Sequence, residues 1–202
     1  GEDGVTHHGV FDMAAFGAVP GLTIAAPMNE PELRNMMYTA LGSGHPFMIR
    51  YPRGHGEGLP WRGEKFETLP VGRGRRLREG ADVALLTVGT VGNAAARAAG
   101  RAAAEGVSVA HYDLRFVKPL DEALLDEVGR KFRRVVTVED GSLRGGVGEA
   151  VAAFFNGRGY DVRVQRLGIG DEWVEHGTPG QLYALCGYDE EGILRALLDT
   201  RA

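Results

Sequence analysis

The sequence holds a single cysteine, Cys186, which excludes an internal disulfide. No Cys/His set stands at zinc spacing, so neither a metal-stapled nor a disulfide-stapled scaffold organises the chain, and a reducing compartment, the cytoplasm, is the expected location. No apolar run approaches the ~20 residues that cross a bilayer, and the first residues carry neither a basic segment nor an apolar one behind it. No membrane partner is expected. Positive charge is not in excess: 23 Lys and Arg against 27 Asp and Glu leave a net charge of −4, with the signs interspersed. Nucleic-acid binding needs clustered basic residues, so no nucleic-acid partner is expected. Complete nucleotide fingerprints are missing too. Gly141 to Gly148 is glycine-rich, but its spacing is not G-x-G-x-x-G and no Lys-Ser/Thr pair ends it. Internal repeats and low-complexity tracts are also absent.

What is present suffices for a sizeable core: 202 residues at 44% hydrophobic content. Periodicity fails between Gly54 and Pro70, where glycines and a proline sit among polar residues. This divides the chain into a front piece (1–54), a linker (55–69) and a back piece (70–202). In the back piece, β-type runs at 83–88, 107–114, 135–138 and 162–167 alternate with helical patterns at 93–105, 121–132 and 146–155, and two more helices follow at 179–186 and 189–198. Repeated βα units mean parallel strands joined by right-handed crossovers with helices on both faces. The fold class is therefore α/β, with a doubly wound, mostly parallel C-terminal domain. The front piece offers a strand at 22–26, a helix at 30–41 with Asn29 as N-cap and Pro31 at N1, and a strand at 47–50. These bury too little surface to stand alone, so the front piece is expected to be the tail of a second, larger α/β domain.

Chemistry concentrates in four places. Residues 1–9 carry Asp3, His7 and His8 on a backbone loosened by Gly1, Gly4 and Gly9, which reads either as a loop close to a ligand or as a solvated end. Asp3, four residues before His7, would orient one imidazole for proton transfer or for hydrogen bonding to a substrate hydroxyl. Arg50 and Arg53 bracket Tyr51-Pro52 just after a strand, where open α/β sheets bind ligands. Two guanidiniums there suit bidentate capture of a phosphate; alternatively one pairs with an internal carboxylate and the other is solvated. The 141–148 turn reads as a phosphate cradle or as close helix-sheet packing. The charges of 113–121 read as structural ion pairs, and His176 as a packing or interface residue.

Residues 1–12 (Gly-Glu-Asp-Gly-Val-Thr-His-His-Gly-Val-Phe-Asp), 26–30 (Ala-Pro-Met-Asn-Glu), 49–54 (Ile-Arg-Tyr-Pro-Arg-Gly), 114–121 (Leu-Arg-Phe-Val-Lys-Pro-Leu-Asp) and 136–140 (Val-Thr-Val-Glu-Asp) together resemble the carboxyl-terminal part of the 1-deoxy-D-xylulose-5-phosphate synthase family, in the transketolase-like superfamily. The resemblance spans essentially the whole chain. It implies a thiamine diphosphate-dependent, magnesium-requiring transferase that decarboxylates pyruvate and joins the two-carbon unit to glyceraldehyde 3-phosphate, for isoprenoid, thiamine and pyridoxal phosphate synthesis, and it implies a homodimer. By the same resemblance Asp3 and His7 lie near the thiazolium and substrate hydroxyls, and Arg53, supported by Arg50, holds the acceptor phosphate. The family's Gly-Asp-Gly…Asn motif and its cofactor-activating glutamate do not occur here. The chain alone is therefore expected to be inactive and to bind neither thiamine diphosphate nor magnesium. The rival reading is a non-catalytic interaction or dimerisation domain of the superfamily, working with a separate partner chain.

Overall fold

The computed structural model describes residues 1–63 and 65–199; Glu64 of the expected linker and residues 200–202 of the expected C-terminal domain lie outside the described residues. The chain runs α1 (Asp12–Gly17), β1 (Thr23–Ala25), α2 (Glu30–Gly42), β2 (Phe47–Ile49), β3 (Arg75–Arg78), β4 (Val83–Val88), α3 (Val91–Ala104), β5 (Val109–Asp113), β6 (Phe116–Lys118), α4 (Glu122–Lys131), β7 (Arg134–Ser142), α5 (Val147–Gly157), β8 (Arg163–Ile169), α6 (Pro179–Leu185) and α7 (Glu190–Leu198).

The larger sheet has the order β3-β5-β4-β7-β8. Its last four strands are mutually parallel, and β3 is an antiparallel edge. Alternation along β4 distributes the core. Val83 and Leu85 face the alanines of α3 and Ile193 and Leu197 of α7, whereas Ala84 and Leu86 face Leu125 of α4 and Phe155 of α5. Each such side chain contributes about 1.5–3 kcal/mol by leaving water, so a sheet clad on both faces is self-supporting. The chain leaves β4 toward β5 on one side and reaches β7 on the other. The topological switch point, where doubly wound sheets bind ligands, thus lies at the carboxyl ends of β4 and β7.

The smaller sheet, β2-β1-β6, pairs β1 with β2 in parallel and with β6 in antiparallel. The front strands are thus completed by a strand of the back piece, inside a stretch whose sequence reads only as a strand-to-helix connection. A buried ion network bridges the pieces: Arg115 grips Glu32 of α2 at 2.8 and 2.9 Å, and Arg75 reaches Glu32 at 2.9 Å and Asp113 at 3.1 Å. Burial pushes the Asp113 carboxyl up to about 6 despite Arg75 beside it.

Three elements escape the sequence pattern. The edge strand β3 reads Arg-Arg-Leu-Arg, with charges that serve as ion-pair partners and blunt the edge. Helix α1 has no side-chain cap and is held against β7 by the buried Met13. Strand β6 exists only because β1 is there to pair with it. Asn29 caps α2 through the Glu32 N–H at 3.1 Å, and Pro31 sits in the first turn, one position after N1.

Candidate functional site

The first nine residues turn back over the carboxyl ends of the large sheet. Gly4 adopts φ +80° against His176, a conformation that a Cβ would strain. His8 donates from Nε2 to the Val174 carbonyl at 3.1 Å, and the Ser142 N–H donates to the Val10 carbonyl at 2.9 Å. The loop is therefore strapped to the back piece. Opposite it, the chain leaves β2 through Arg50-Tyr51-Pro52-Arg53, and α6 forms the third wall. These walls enclose a cleft of about 340 Å³ that Asp3, His7, Arg50 and Arg53 all line. A larger hollow of about 550 Å³, reaching Thr90 and Asn93 at the start of α3, adjoins it and shares Tyr51, Pro52 and Arg53. Both lie at the switch point.

The four residues singled out from sequence converge, but their pairing differs from expectation. Asp3 does not orient His7; its carboxylate pairs with Arg53. A charged guanidinium is a stronger partner for a carboxylate than a neutral imidazole is. The His7 Nδ1 instead lies 2.9 Å from Thr6 Oγ1, and its Nε2 has no hydrogen-bond partner among the described residues. Arg53 is 84% exposed, so its pair with Asp3 is a surface pair. Such pairs contribute about 0–1 kcal/mol and yield easily to a better anion.

Arg50, expected to support the phosphate site, does not present its charge there. It is 11% exposed, its Nη1 and Nη2 donate to Asp140 Oδ2 at 3.2 Å and to the Asp140 carbonyl at 2.6 Å, and its Nε faces Asp12 at 3.4 Å. Burial works against this charge; Asp140 and Asp12 outweigh it and hold the guanidinium above its ordinary pKa. The internal-carboxylate reading therefore holds for Arg50, and the exposed one for Arg53.

The 141–148 turn is a packing device. The buried Glu139 carboxylate accepts the Val147 and Gly148 N–H groups at 2.8 Å each, filling the N-terminus of α5 where an external anion would sit. Gly146 lies against the Ser142 carbonyl and that carboxylate, leaving no room for a Cβ. Among the described residues, no group of three His, Cys, Asp or Glu side chains could hold a metal ion.

Sequence reasoning missed Asp12, Asp140, Tyr183 and Tyr188. Tyr183 and Tyr188 donate to Asp140 at 3.3 and 2.9 Å. Asp140 follows the apolar run 135–138 with only Glu139 between, and that position near a strand's carboxyl end is the available signal. Tyr183 lies in helical pattern and Tyr188 in the short connection between two helices, and neither carries a signal.

Comparison with known proteins matches two families to the chain. The family "Transketolase, C-terminal domain" matches residues 72–193, and "Transketolase, pyrimidine binding domain" matches residues 1–57. Among curated relatives, the 1-deoxy-D-xylulose-5-phosphate synthase of Bacteroides fragilis is 55% identical over 100% of this chain and 31% of its own length. That of Symbiobacterium thermophilum is 45% identical over 95% of this chain and 30% of its own. The chain thus spans about a third of the length of the curated relatives it matches. A solved structure described as a split-gene transketolase, inactive beta4 tetramer, superposes with a TM-score of 0.82 at 27% identity, covering 96% of this chain and 61% of that one.

Proposed function

Because the chain belongs to the transketolase family, with the C-terminal domain matched over more than half its length, we propose that it is the carboxyl-terminal part of a thiamine diphosphate-dependent 1-deoxy-D-xylulose-5-phosphate synthase. In this reading the full-length transferase consumes pyruvate and glyceraldehyde 3-phosphate, releases CO2, and feeds isoprenoid, thiamine and pyridoxal phosphate synthesis. The observation that carries it is the common cleft: an exposed guanidinium at position 53 and an imidazole at position 7 face one space at the carboxyl ends of the strands. Arg53 takes the acceptor phosphate by exchanging its weak partner Asp3 for a bidentate dianion. His7, with Nε2 uncommitted, donates a hydrogen bond to oxygen of the substrate, and Asp3 lies beside the same hydroxyls.

This chain's residues do not fit the cofactor's diphosphate and its Mg2+. The buried cation of the cleft, Arg50, is neutralised by two carboxylates, and the described residues contain no carboxylate or imidazole cluster for a metal. In this reading both are held by residues outside the sequence described here, and the chain alone is inactive. The split-gene transketolase beta assembly, inactive by its own description, supports that inactivity and also leaves room for a separate partner chain. A homodimer of the full protein follows from the family reading; Met37, Tyr38, Leu41 and Phe66, exposed apolar side chains on and beside α2, are a face that the rest of the protein or a second copy would cover.

Substrate stoichiometry tests the proposal. The full-length protein with thiamine diphosphate should consume pyruvate and glyceraldehyde 3-phosphate one for one with one CO2 released. Turnover of a ketose phosphate donor without CO2 would instead identify an ordinary transketolase.

A further inference from the structure

One carboxylate joins the two walls of the cleft. Asp140, at the carboxyl end of β7, accepts the Tyr188 hydroxyl on Oδ1 at 2.9 Å and the Tyr183 hydroxyl on Oδ2 at 3.3 Å. Its Oδ2 and carbonyl oxygen accept Arg50 Nη1 and Nη2 at 3.2 and 2.6 Å. Both tyrosines belong to the α6–α7 segment of the C-terminal domain; their ring centroids lie 5.0 Å apart, and Tyr188 is buried. Arg50 belongs to the front piece, where its N–H continues the β1–β2 pairing by donating to the Ala25 carbonyl at 2.8 Å. It is thus pinned at its backbone by one sheet and at its guanidinium by the other. Only Tyr51 and the stiff Pro52 separate it from Arg53.

Charge gives this arrangement a purpose. Asp12 and Asp140 put two negative charges against the one positive charge of Arg50, beside the place where a phosphate must arrive. Two hydroxyl dipoles, one on each Asp140 oxygen, offset the surplus without adding a cation that would compete with Arg53.

We propose that Tyr183 and Tyr188 are positioning residues for the acceptor-phosphate site: through Asp140 they fix Arg50, and with it the turn bearing Arg53, so that the C-terminal domain sets selectivity for a phosphorylated acceptor. This rests on the reading of Arg53 given above. Burial and the Asp140 anion push both tyrosine hydroxyls upward in pKa, so they remain protonated donors through the neutral range.

The test compares the full-length enzyme with its Tyr183→Phe/Tyr188→Phe, Asp140→Asn and Arg53→Ala variants, using glyceraldehyde 3-phosphate and unphosphorylated glyceraldehyde as acceptors. The readout is the ratio of kcat/KM for the two. The double tyrosine variant should lower this ratio about five- to tenfold, chiefly through KM for the phosphorylated acceptor, and Arg53→Ala should lower it further. Asp140→Asn keeps the shape, removes the charge that grips Arg50, and should lower the ratio in the same direction. If both acceptors lose rate equally in the tyrosine and Asp140 variants, or neither does, while Arg53→Ala still collapses the ratio, the positioning role is overturned and the phosphate reading stands. If Arg53→Ala leaves the ratio intact, both fall.

Discussion

His111 is an imidazole 1% exposed on β5, between β4 and the edge strand β3, with Nε2 2.9 Å from Thr87 Oγ1. Burial, with Arg75 and Arg78 nearby, pushes it down to about 4 from 6.5. The fold therefore refuses a proton that the unfolded chain accepts, so this contribution to stability is present above pH 6.5 and is lost as pH falls toward 4. His111→Gln removes the titration: the stability gap between wild type and variant, followed by urea unfolding, should narrow by up to about 3 kcal/mol between about pH 6.5 and about pH 4. A gap that stays constant across that window would contradict the assignment. Asp113, raised by burial, has the opposite slope, which is why the difference between the two proteins is the quantity to read. At this scale the sequence revealed residue types and not partners. Asp3, His7, Arg50 and Arg53 could be picked out because polar groups at glycine turns and strand ends are exposed to ligands. Which carboxylate each guanidinium would take depended on Asp12 and Asp140, the latter 90 residues from Arg50.

Helices α2, α4, α6 and α7 start on side-chain caps, and these caps carry unequal loads. Asp189 caps α7 through the Gly192 N–H at 2.8 Å. Asp121 caps α4 through the Leu124 N–H at 3.0 Å and also accepts the Gly74 N–H at 3.0 Å and Arg73 at 3.1 Å, tying the approach to the edge strand β3 to the helix. Asp121→Ala should therefore cost about 2–4 kcal/mol against about 1 kcal/mol for Asp189→Ala, measured as shifts in unfolding free energy. Equal losses would mean that the bonds to Gly74 and Arg73 carry no stability. The elements of the large sheet were legible because buried parallel strands are continuous β-branched and apolar runs, Val83–Val88 above all. Strand β3 and strand β6 were not, because their residues are charged or few and their conformation is imposed by β5 and β1. Helix α1 was hidden for a similar reason: with six residues and no side-chain cap it is held by tertiary contacts, Met13 against β7, Asp12 with Arg50 and the Gly17 carbonyl with Lys118.

At the scale of the molecule, two sheets meet through Glu32, Arg75 and Arg115 at one seam and Arg50 and Asp140 at another, and Arg50 and Asp140 also line the cleft. The proposal that thiamine diphosphate and Mg2+ are held by other residues gives the corresponding prediction: titration of the isolated chain with both should give no heat of binding, and micromolar binding would show that these residues hold the cofactor after all. Arg53 carries the central claim, since it is the guanidinium that stays exposed where Arg50 is consumed. The most direct measurement is KM for glyceraldehyde 3-phosphate in the full-length enzyme bearing Arg53→Ala. It should rise by about one to two orders of magnitude while KM for pyruvate stays within about threefold; an unchanged KM for the phosphorylated acceptor would contradict the account.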